Sequence, residues 1–170
     1  MIIESRLGRV EVDTDRILTF PHGVIGFEHL RRFVLLQISD NSPFLVLQSL
    51  EDKGFGLMVA DPFTFLTNFA LEIGDAEQAR LGATAPEELA VLVTVSIPPG
   101  RPDETALNLM GPIIVNHVKR VGLQVPQPDT GGPQRVYVST LLLEQDGQAA
   151  PEKITPEKAT PEKNATAEKP

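Results

Sequence analysis

The chain has 170 residues, with 15 lysine and arginine residues against 23 aspartate and glutamate residues and a formal net charge of −8. This length favours one domain, and the acidity disfavours direct contact with nucleic acid and favours basic protein partners. The chain has no cysteine, which excludes disulfides and thiol chemistry. The first residues lack the apolar core of a secretory signal, and no apolar run approaches the ~20 residues that span a bilayer. We therefore expect a cytoplasmic protein that does not contact a membrane.

The first half of the chain has the periodicity of β-strands. Residues 9–12, "RVEV", alternate between charged and apolar side chains. The apolar runs 33–38 and 44–50 are separated by turn formers, and four polar or glycine residues lead on to a third run, 55–60. That spacing is typical of a β-hairpin. Both faces of the run 44–50 are apolar, so we expect this strand to lie in the centre of a sheet.

The second half predicts further strands, joined by loops rich in proline and glycine at 98–104 and 126–133. These strands are 89–97, 105–110, 112–116, 122–125 and 135–143. Two helical signals are short: one has Asp75 as N-cap and Gly82 as its stop, and the other begins near Pro86. Many short strands with one or two short helices predict an all-β fold, a small antiparallel β-barrel-like domain.

The end of the chain differs in composition from the rest. It repeats the tripeptide Pro-Glu-Lys and has almost no large apolar side chain, so it cannot bury enough surface to offset the entropy of ordering it. We expect residues 1–146 to form the domain and residues 147–170 to form a disordered tail.

The stretch "FPHGVIGFE", Phe20 to Glu28, carries two glycines three residues apart after a short apolar run. A dinucleotide-binding loop would need a third glycine and a following helix, whereas here a strand is predicted next. We interpret Gly23 and Gly26 as a bend where the chain reverses direction.

No pattern in the chain predicts an active site. The histidines His22, His29 and His117 lack the spacing of a zinc signature, and neither Ser49 nor Ser139 lies in a nucleophile elbow. Paired carboxylates occur only in polar turns or at helix starts, and with one tyrosine and no tryptophan a stacking platform for single-stranded nucleic acid is not expected. We expect no cofactor or metal, and a binding or regulatory protein is the better interpretation.

Four motifs, in this order and spacing over about residues 1–143, resemble the FliW family of bacterial flagellar assembly factors. The matching positions are Phe20, Gly23, Gly26, Phe27 and Glu28 in the first motif, Pro43, Phe44, Leu47, Gln48 and Ser49 in the second, Asp61, Pro62 and Phe63 in the third, and Asn108–Asn116 with Gly122 and Gln124 in the fourth. Ile25 stands where the family usually has a proline.

The resemblance implies a closed β-barrel-like domain without catalysis, which acts by switching partners. Such proteins bind flagellin in the cytoplasm. When flagellin has been exported, the freed protein binds the carbon storage regulator CsrA and prevents it from repressing translation of flagellin messenger RNA. The partner-binding positions that the resemblance implies are Phe20, Gly23, Gly26, Phe27, Glu28, Phe44, Gln48, Asp61, Pro62, Phe63, Asn108, Pro112 and Asn116. We expect a monomer.

The residues themselves agree with this in two respects. An acidic body would be steered toward CsrA, which as an RNA binder presents basic surface. An apolar groove with a polar rim would accept an amphipathic helix of flagellin, and Phe27, Phe44, Phe63, Phe65 and Phe69 are candidates to line it. Aromatic residues of a β domain are more often core than interface, so a structural role comes first for each.

Two alternatives stay open. A small β-barrel can bind a ligand in its mouth or act as an enzyme, and a deep polar-lined pocket would support that function whereas a filled interior would remove it. A structural part of the flagellum would be exported and would self-assemble.

Overall fold

The computed structural model describes residues 1–141, so the predicted domain boundary at 146 and the predicted tail 147–170 lie outside the described residues. The strands and helix of this part are β1 (Ile2–Ser5), β2 (Gly8–Glu11), β3 (Leu18–Thr19), β4 (Arg32–Gln37), β5 (Phe44–Ser49), β6 (Gly56–Ala60), α1 (Asp75–Leu81), β7 (Leu89–Ser96), β8 (Ala106–Asn116), β9 (Val121–Gln124) and β10 (Arg135–Tyr137). Short 3-10 turns lie at Thr14–Arg16, Pro62–Thr64, Pro86–Glu88 and Pro102–Glu104.

The main sheet closes on itself. Its strands follow the order β10-β8-β7-β6-β5-β4-β3-β9, and β8 also pairs with β9. Strands β3 to β9 therefore form a ring, and β10 lies beside β8 outside it. The pairs are antiparallel except for a parallel contact of β3 with β9 at Thr19 and Val121. The all-β, barrel-like prediction is confirmed.

Strand β5 lies in the centre of the sheet, as its two apolar faces predict. Leu47 pairs with Leu35 of β4 on one side and with Leu57 of β6 on the other. Every residue of β5 after Phe44 is buried. The β1–β2 hairpin forms a separate two-stranded sheet. Its Val10 packs into the buried cluster that also contains Leu47 of β5.

Side chains fill the interior of the ring. One buried cluster takes fully enclosed residues from strands all round it: Leu18, Phe33, Leu47, Leu92 and Ile113. A core of this kind stabilises the fold through the apolar area removed from water and through close packing of side chains between those strands.

Strand β8 corrects one expectation, because residues 105–110 and 112–116 form one strand and not two. Its register with β7 shifts between Leu92 and Thr94, where a bulge takes up the extra residues around Pro112. A bulge tolerates proline, which has no N–H to donate to the ladder. The first half of β8 pairs with β10 and the second half with β9, so the bulge is the corner where the strand changes neighbours.

The predicted strand 135–143 is wrong at residues 138–141, which are helical, while residues 142 and 143 lie outside the described residues. An apolar run of this length is compatible with a strand or a buried helical turn. Here Val138 and Leu141, three residues apart, both pack into one buried cluster, which is the spacing of a helix face.

The predicted N-cap of α1 is also wrong by one residue. Gly74 occupies the N-cap with extended backbone, and Asp75 lies in the first turn, where its charge still favours the helix dipole. The predicted stop at Gly82 is confirmed: its φ of +65° is left-handed, the conformation that commonly ends a helix at glycine.

Candidate partner-binding groove

The first motif forms a tight bend between β3 and β4. Gly23 and Gly26 have φ angles of +66° and +87°, a left-handed region that favours glycine. A Cβ on Gly23 would lie 2.6 Å from the Cα of Glu28, so the chain also passes too close for a side chain. The interpretation as a bend is confirmed.

The aromatic residue that opens this motif is core. The Phe20 ring is fully buried and meets Phe33 edge-on at 5.0 Å between ring centroids. It also lies directly over Gly122 of β9, where an added Cβ would come within 2.3 Å of the ring. A residue of the first motif and one of the fourth therefore form one packing unit.

Gln124 joins the same two regions by hydrogen bonds. Its Oε1 accepts the backbone N–H of Ile25 at 3.0 Å, and its Nε2 donates to the carbonyl of Gly111 at 2.9 Å. The bend is thus fixed to the bulge of β8, and this chain keeps a donor at position 25, which a proline would not supply.

The outer face of the bend is exposed. Ile25 is 56% exposed and Phe27 is 41% exposed. The ring centroids of Phe27 and Phe55 are 4.3 Å apart. The Glu28 carboxylate accepts the N–H of Gly26 at 2.9 Å, and this hydrogen bond lowers the pKa of Glu28. Phe27 and Glu28 are therefore the first-motif side chains that a partner can reach.

The second motif holds two turns together. The Gln48 side chain is fully buried, and its Oε1 accepts the backbone N–H of Arg6 in the β1–β2 turn at 3.0 Å. Its Nε2 lies within hydrogen-bonding distance of several carbonyls of the β5–β6 turn, including that of Phe55 at 3.0 Å. Phe44 is half-buried and stacks on Phe65 with 5.9 Å between centroids.

The third motif starts the segment that forms one wall of a groove. Asp61 accepts the N–H of Phe63 at 2.8 Å and so caps the 3-10 turn that contains the buried Pro62. The chain then runs without regular strand or long helix through residues 65–72. Phe63 packs edge-on against Phe69, with 5.6 Å between centroids.

The polar residues of the fourth motif also have structural partners. Asn116 is fully buried; its Nδ2 donates to the carbonyl of Leu81 at 2.9 Å, and its Oδ1 accepts from the N–H groups of Val118 and Lys119. Asn108 is half-buried and donates to the hydroxyls of Thr94 and Ser96, at 3.2 and 3.0 Å. Pro112 is buried at the bulge.

A groove of about 620 Å³ lies between residues 65–72 and the loop 127–133. Its apolar lining is formed by Phe65, Leu66, Phe69, Leu71, Leu109, Met110, Val136 and Leu141. Its charged residues are Glu72 and Asp129, both exposed. Gln127 connects the two walls, because its Oε1 accepts the N–H of Glu72 at 2.7 Å and its Nε2 donates to the Glu72 carbonyl at 3.0 Å.

The structure brings together part of the predicted groove set. Phe65 and Phe69 line the groove, while Phe44 and Phe63 pack behind these two rings. Phe27 lies on the bend and is not part of the lining. The lining also contains four residues that were not candidates: Leu66 and Gln127 lie in irregular segments, Met110 lies within β8 and the fourth motif, and Val136 lies in β10.

Within residues 1–141, no group of three or more histidine, aspartate or glutamate side chains could hold a metal ion. In the same part of the chain, no helix is long and apolar enough to cross a lipid bilayer.

A family model described as FliW protein matches residues 1–138. The chain belongs to the FliW family. The likeness found in the four motifs is thereby confirmed, and with it a place among flagellar assembly factors.

Two named relatives and one solved structure support the same family. The flagellar assembly factor FliW of Nitratidesulfovibrio vulgaris (strain Hildenborough) is 52% identical over 136 residues, which cover 80% of this chain and 79% of that protein. The protein of the same name from Desulfovibrio desulfuricans is 49% identical over 150 residues, covering 86% and 90%. A crystal structure of the flagellar assembly factor FliW superposes with a TM-score of 0.75 at 27% identity, covering 91% of this chain and all of that one.

Proposed function

We propose that this chain is a non-catalytic cytoplasmic assembly factor that binds flagellin through its groove. When free of flagellin, it binds CsrA and relieves the repression of flagellin messenger RNA translation. Family membership supports a flagellar role, and the groove supports the mode of binding. In this proposal the protein itself does not contact nucleic acid.

The groove suits an amphipathic helix. Its walls are apolar and aromatic, its rim is polar, and its volume of about 620 Å³ is large enough for several side chains of one helix face. A globular domain commonly takes a helix in such a groove, with apolar residues at helical spacing as anchors. The apolar lining is the observation that carries the flagellin half of the proposal.

The partner-binding positions that the resemblance implies are of two kinds, exposed and buried. Of the thirteen motif positions, Gly26, Phe27 and Glu28 are exposed and can touch a partner directly. The buried positions, such as Phe20 and Gln48, hold the turns that present those surfaces. We propose that most of these motif residues contribute to binding indirectly, by holding in place the turns that present the exposed residues.

The flagellin half is tested by isothermal titration calorimetry with the variant Met110→Ala, because Met110 is half-buried in the groove lining. We expect the Kd for flagellin to rise about tenfold, since a buried apolar anchor contributes about 1.4 kcal/mol or more to binding. Ile97→Ala is the matched control, an exposed apolar residue outside the lining. Equal affinities for both variants would place flagellin elsewhere.

The CsrA half rests on charge, since the chain carries a net −8 and CsrA binds an anionic polymer. Electrostatic steering makes the association rate constant fall as salt screens the charges, by about tenfold or more in strongly steered pairs. Stopped-flow association with CsrA at low and high salt measures this. A rate constant that does not change with salt rules out steering.

An enzyme or ligand-binding barrel is the competing function. The ring interior is filled by side chains, and the described residues that line the groove include acidic groups at its rim and no basic side chain. Turnover of a small molecule by the purified protein would establish the competing function.

A further inference from the structure

The two acidic residues of the groove rim lie at one end of the groove. Glu72 ends the wall 65–72, and the Gln127 side chain binds its backbone N–H and carbonyl from the facing wall. Asp129 lies two residues further along that facing wall, so its Cα is within about 7 Å of the Gln127 Cα. Both carboxylates therefore lie beside the Gln127 contact, which marks the acidic end of the groove.

The opposite end of the groove is apolar. Phe65 and Leu141 both line the groove and pack in the same buried cluster. Leu71 belongs to a different buried cluster, which contains Val125. The groove therefore runs from an apolar end at Phe65 and Leu141 to the acidic end at Glu72, so its charge is unevenly distributed.

The carboxylates at the acidic end are available to a partner. Glu72 and Asp129 are exposed, and within residues 1–141 neither forms a salt bridge. The Asp129 Oδ1 accepts the N–H of Gly131 at 3.0 Å, and its Oδ2 lies 3.5 Å from the Nε2 of Gln134, which are both uncharged groups. The described residues that line the groove include no lysine, arginine or histidine, so the lining does not neutralise the two negative charges.

We propose that Glu72 and Asp129 select the partner of the groove, an amphipathic helix of another protein that carries lysine or arginine at one end of its apolar face. The apolar side chains of that helix pack against the lining, and its basic end lies at the acidic end of the groove. The inference rests on the proposed function for the use of the groove by a helix, and it adds the charge that the helix carries.

The expected effect is one of specificity. Complementary charges at an interface discriminate between partners, because a like charge in the same place is repelled. Each exposed ion pair contributes little to affinity, so we expect a basic end to improve binding about three- to tenfold over an uncharged end. The whole chain, at −8, attracts any cationic peptide, and the test must separate that attraction from selection at the rim.

Synthetic amphipathic peptides test the selection with the full-length protein. Three fluorescent peptides share leucines at positions i, i+3, i+4 and i+7 and differ at one end, which carries two lysines, two glutamines or two glutamates. In anisotropy titrations at low salt, the lysine peptide should bind about three- to tenfold more tightly than the glutamine peptide, and the glutamate peptide should bind most weakly. Salt should reduce these differences. Equal affinities at low salt, or no binding by any peptide, would overturn the inference.

Variants without the rim charges separate local selection from overall attraction. In the Glu72→Gln, Asp129→Asn protein, the preference for the lysine peptide should fall below about twofold. The Glu11→Gln, Asp40→Asn protein is the matched control, because both residues are exposed and lie outside the lining, and it should keep the preference. A preference that survives the rim changes, or that the control loses equally, would overturn the inference.

Flagellin distinguishes this inference from the proposed function. If the lysine preference depends on the rim charges but flagellin does not displace the peptide, the selection is supported and flagellin is not the occupant of the groove. If all three peptides bind equally, are weakened by Met110→Ala and are displaced by flagellin, the selection is overturned and the proposed function stands.

Discussion

The ring of strands and the groove beside it are built in different ways. In the ring, buried amides such as Gln48 and Asn116 form hydrogen bonds through both the oxygen and the nitrogen and tie separate turns together. In the groove, residues 65–72 and 127–133 have no strand, and half-buried apolar side chains face the opening. The motif residues therefore lie mostly in the ring and its turns, while the groove combines irregular segments with Leu109 and Met110 of the fourth motif.

Two phenylalanines of the first motif give the largest contrast. Phe20→Ala removes a fully buried ring and should lower the free energy of unfolding by about 3–5 kcal/mol. Phe27→Ala removes an exposed ring that packs at a tilt against Phe55, and the expected loss is about 1 kcal/mol. Urea unfolding followed by far-ultraviolet circular dichroism measures both. Similar losses of stability would contradict the assignment of Phe20 to the core and of Phe27 to the surface.

Two asparagines of β8 give a smaller contrast. Asn116→Ala leaves the carbonyl of Leu81 and two backbone N–H groups of the following turn without their partner, so we expect a loss of about 2 kcal/mol. Asn108→Ala removes bonds to two hydroxyls that can reorient, and the expected loss is below about 1 kcal/mol. The reverse order in urea unfolding would assign Asn108 the greater structural role.

Glu88 should give a small effect that depends on pH. Its carboxylate accepts the backbone N–H of Thr84 and the Thr84 hydroxyl, and these bonds lower the pKa of Glu88 from 4.5. A lowered pKa stabilises the folded state above pH 4.5, and this stabilisation is lost as the pH falls through the folded-state pKa. Glu88→Gln should therefore reduce the thermal midpoint at pH 7, and this deficit should shrink as the pH falls through the folded-state pKa of Glu88.

Glu87→Gln is the matched control for that measurement, since it removes one negative charge from the adjacent residue. A Glu88→Gln protein whose deficit is the same at pH 7 and pH 3 would show that the carboxylate charge is not responsible.

The smallest effect is expected at the end of the chain. Deleting residues 150–170 removes the Pro-Glu-Lys repeats and should change the free energy of unfolding by no more than about 0.5 kcal/mol, as for changes that touch no core. A marked loss in urea unfolding would show that the repeats pack against the domain.

Much of the ring of strands could be predicted from the sequence, because the alternation of apolar and polar residues and the turn-forming residues are local signals. The central position of β5 followed from its two apolar faces, and the bend at Gly23 followed from the glycine spacing. The continuity of β8 through Pro112 could not, because it depends on a bulge opposite another strand. The helical turn after Tyr137 could not either, since an apolar run fits both conformations until its neighbours are known.

The groove was only partly predictable. Phe65 and Phe69 were candidates because they are aromatic, but Met110 and Gln127 come from distant segments that meet only in the folded chain. The Gln127 bonds to Glu72 span a separation that no local pattern reveals.

Amide hydrogen exchange of the full-length protein, with and without flagellin, tests most directly whether the groove receives flagellin. We predict that flagellin slows exchange at 65–72 and 127–136 and leaves the bend at 22–29 unchanged. Slowed exchange confined to the bend, with the groove amides unaffected, would contradict the assignment of flagellin to the groove.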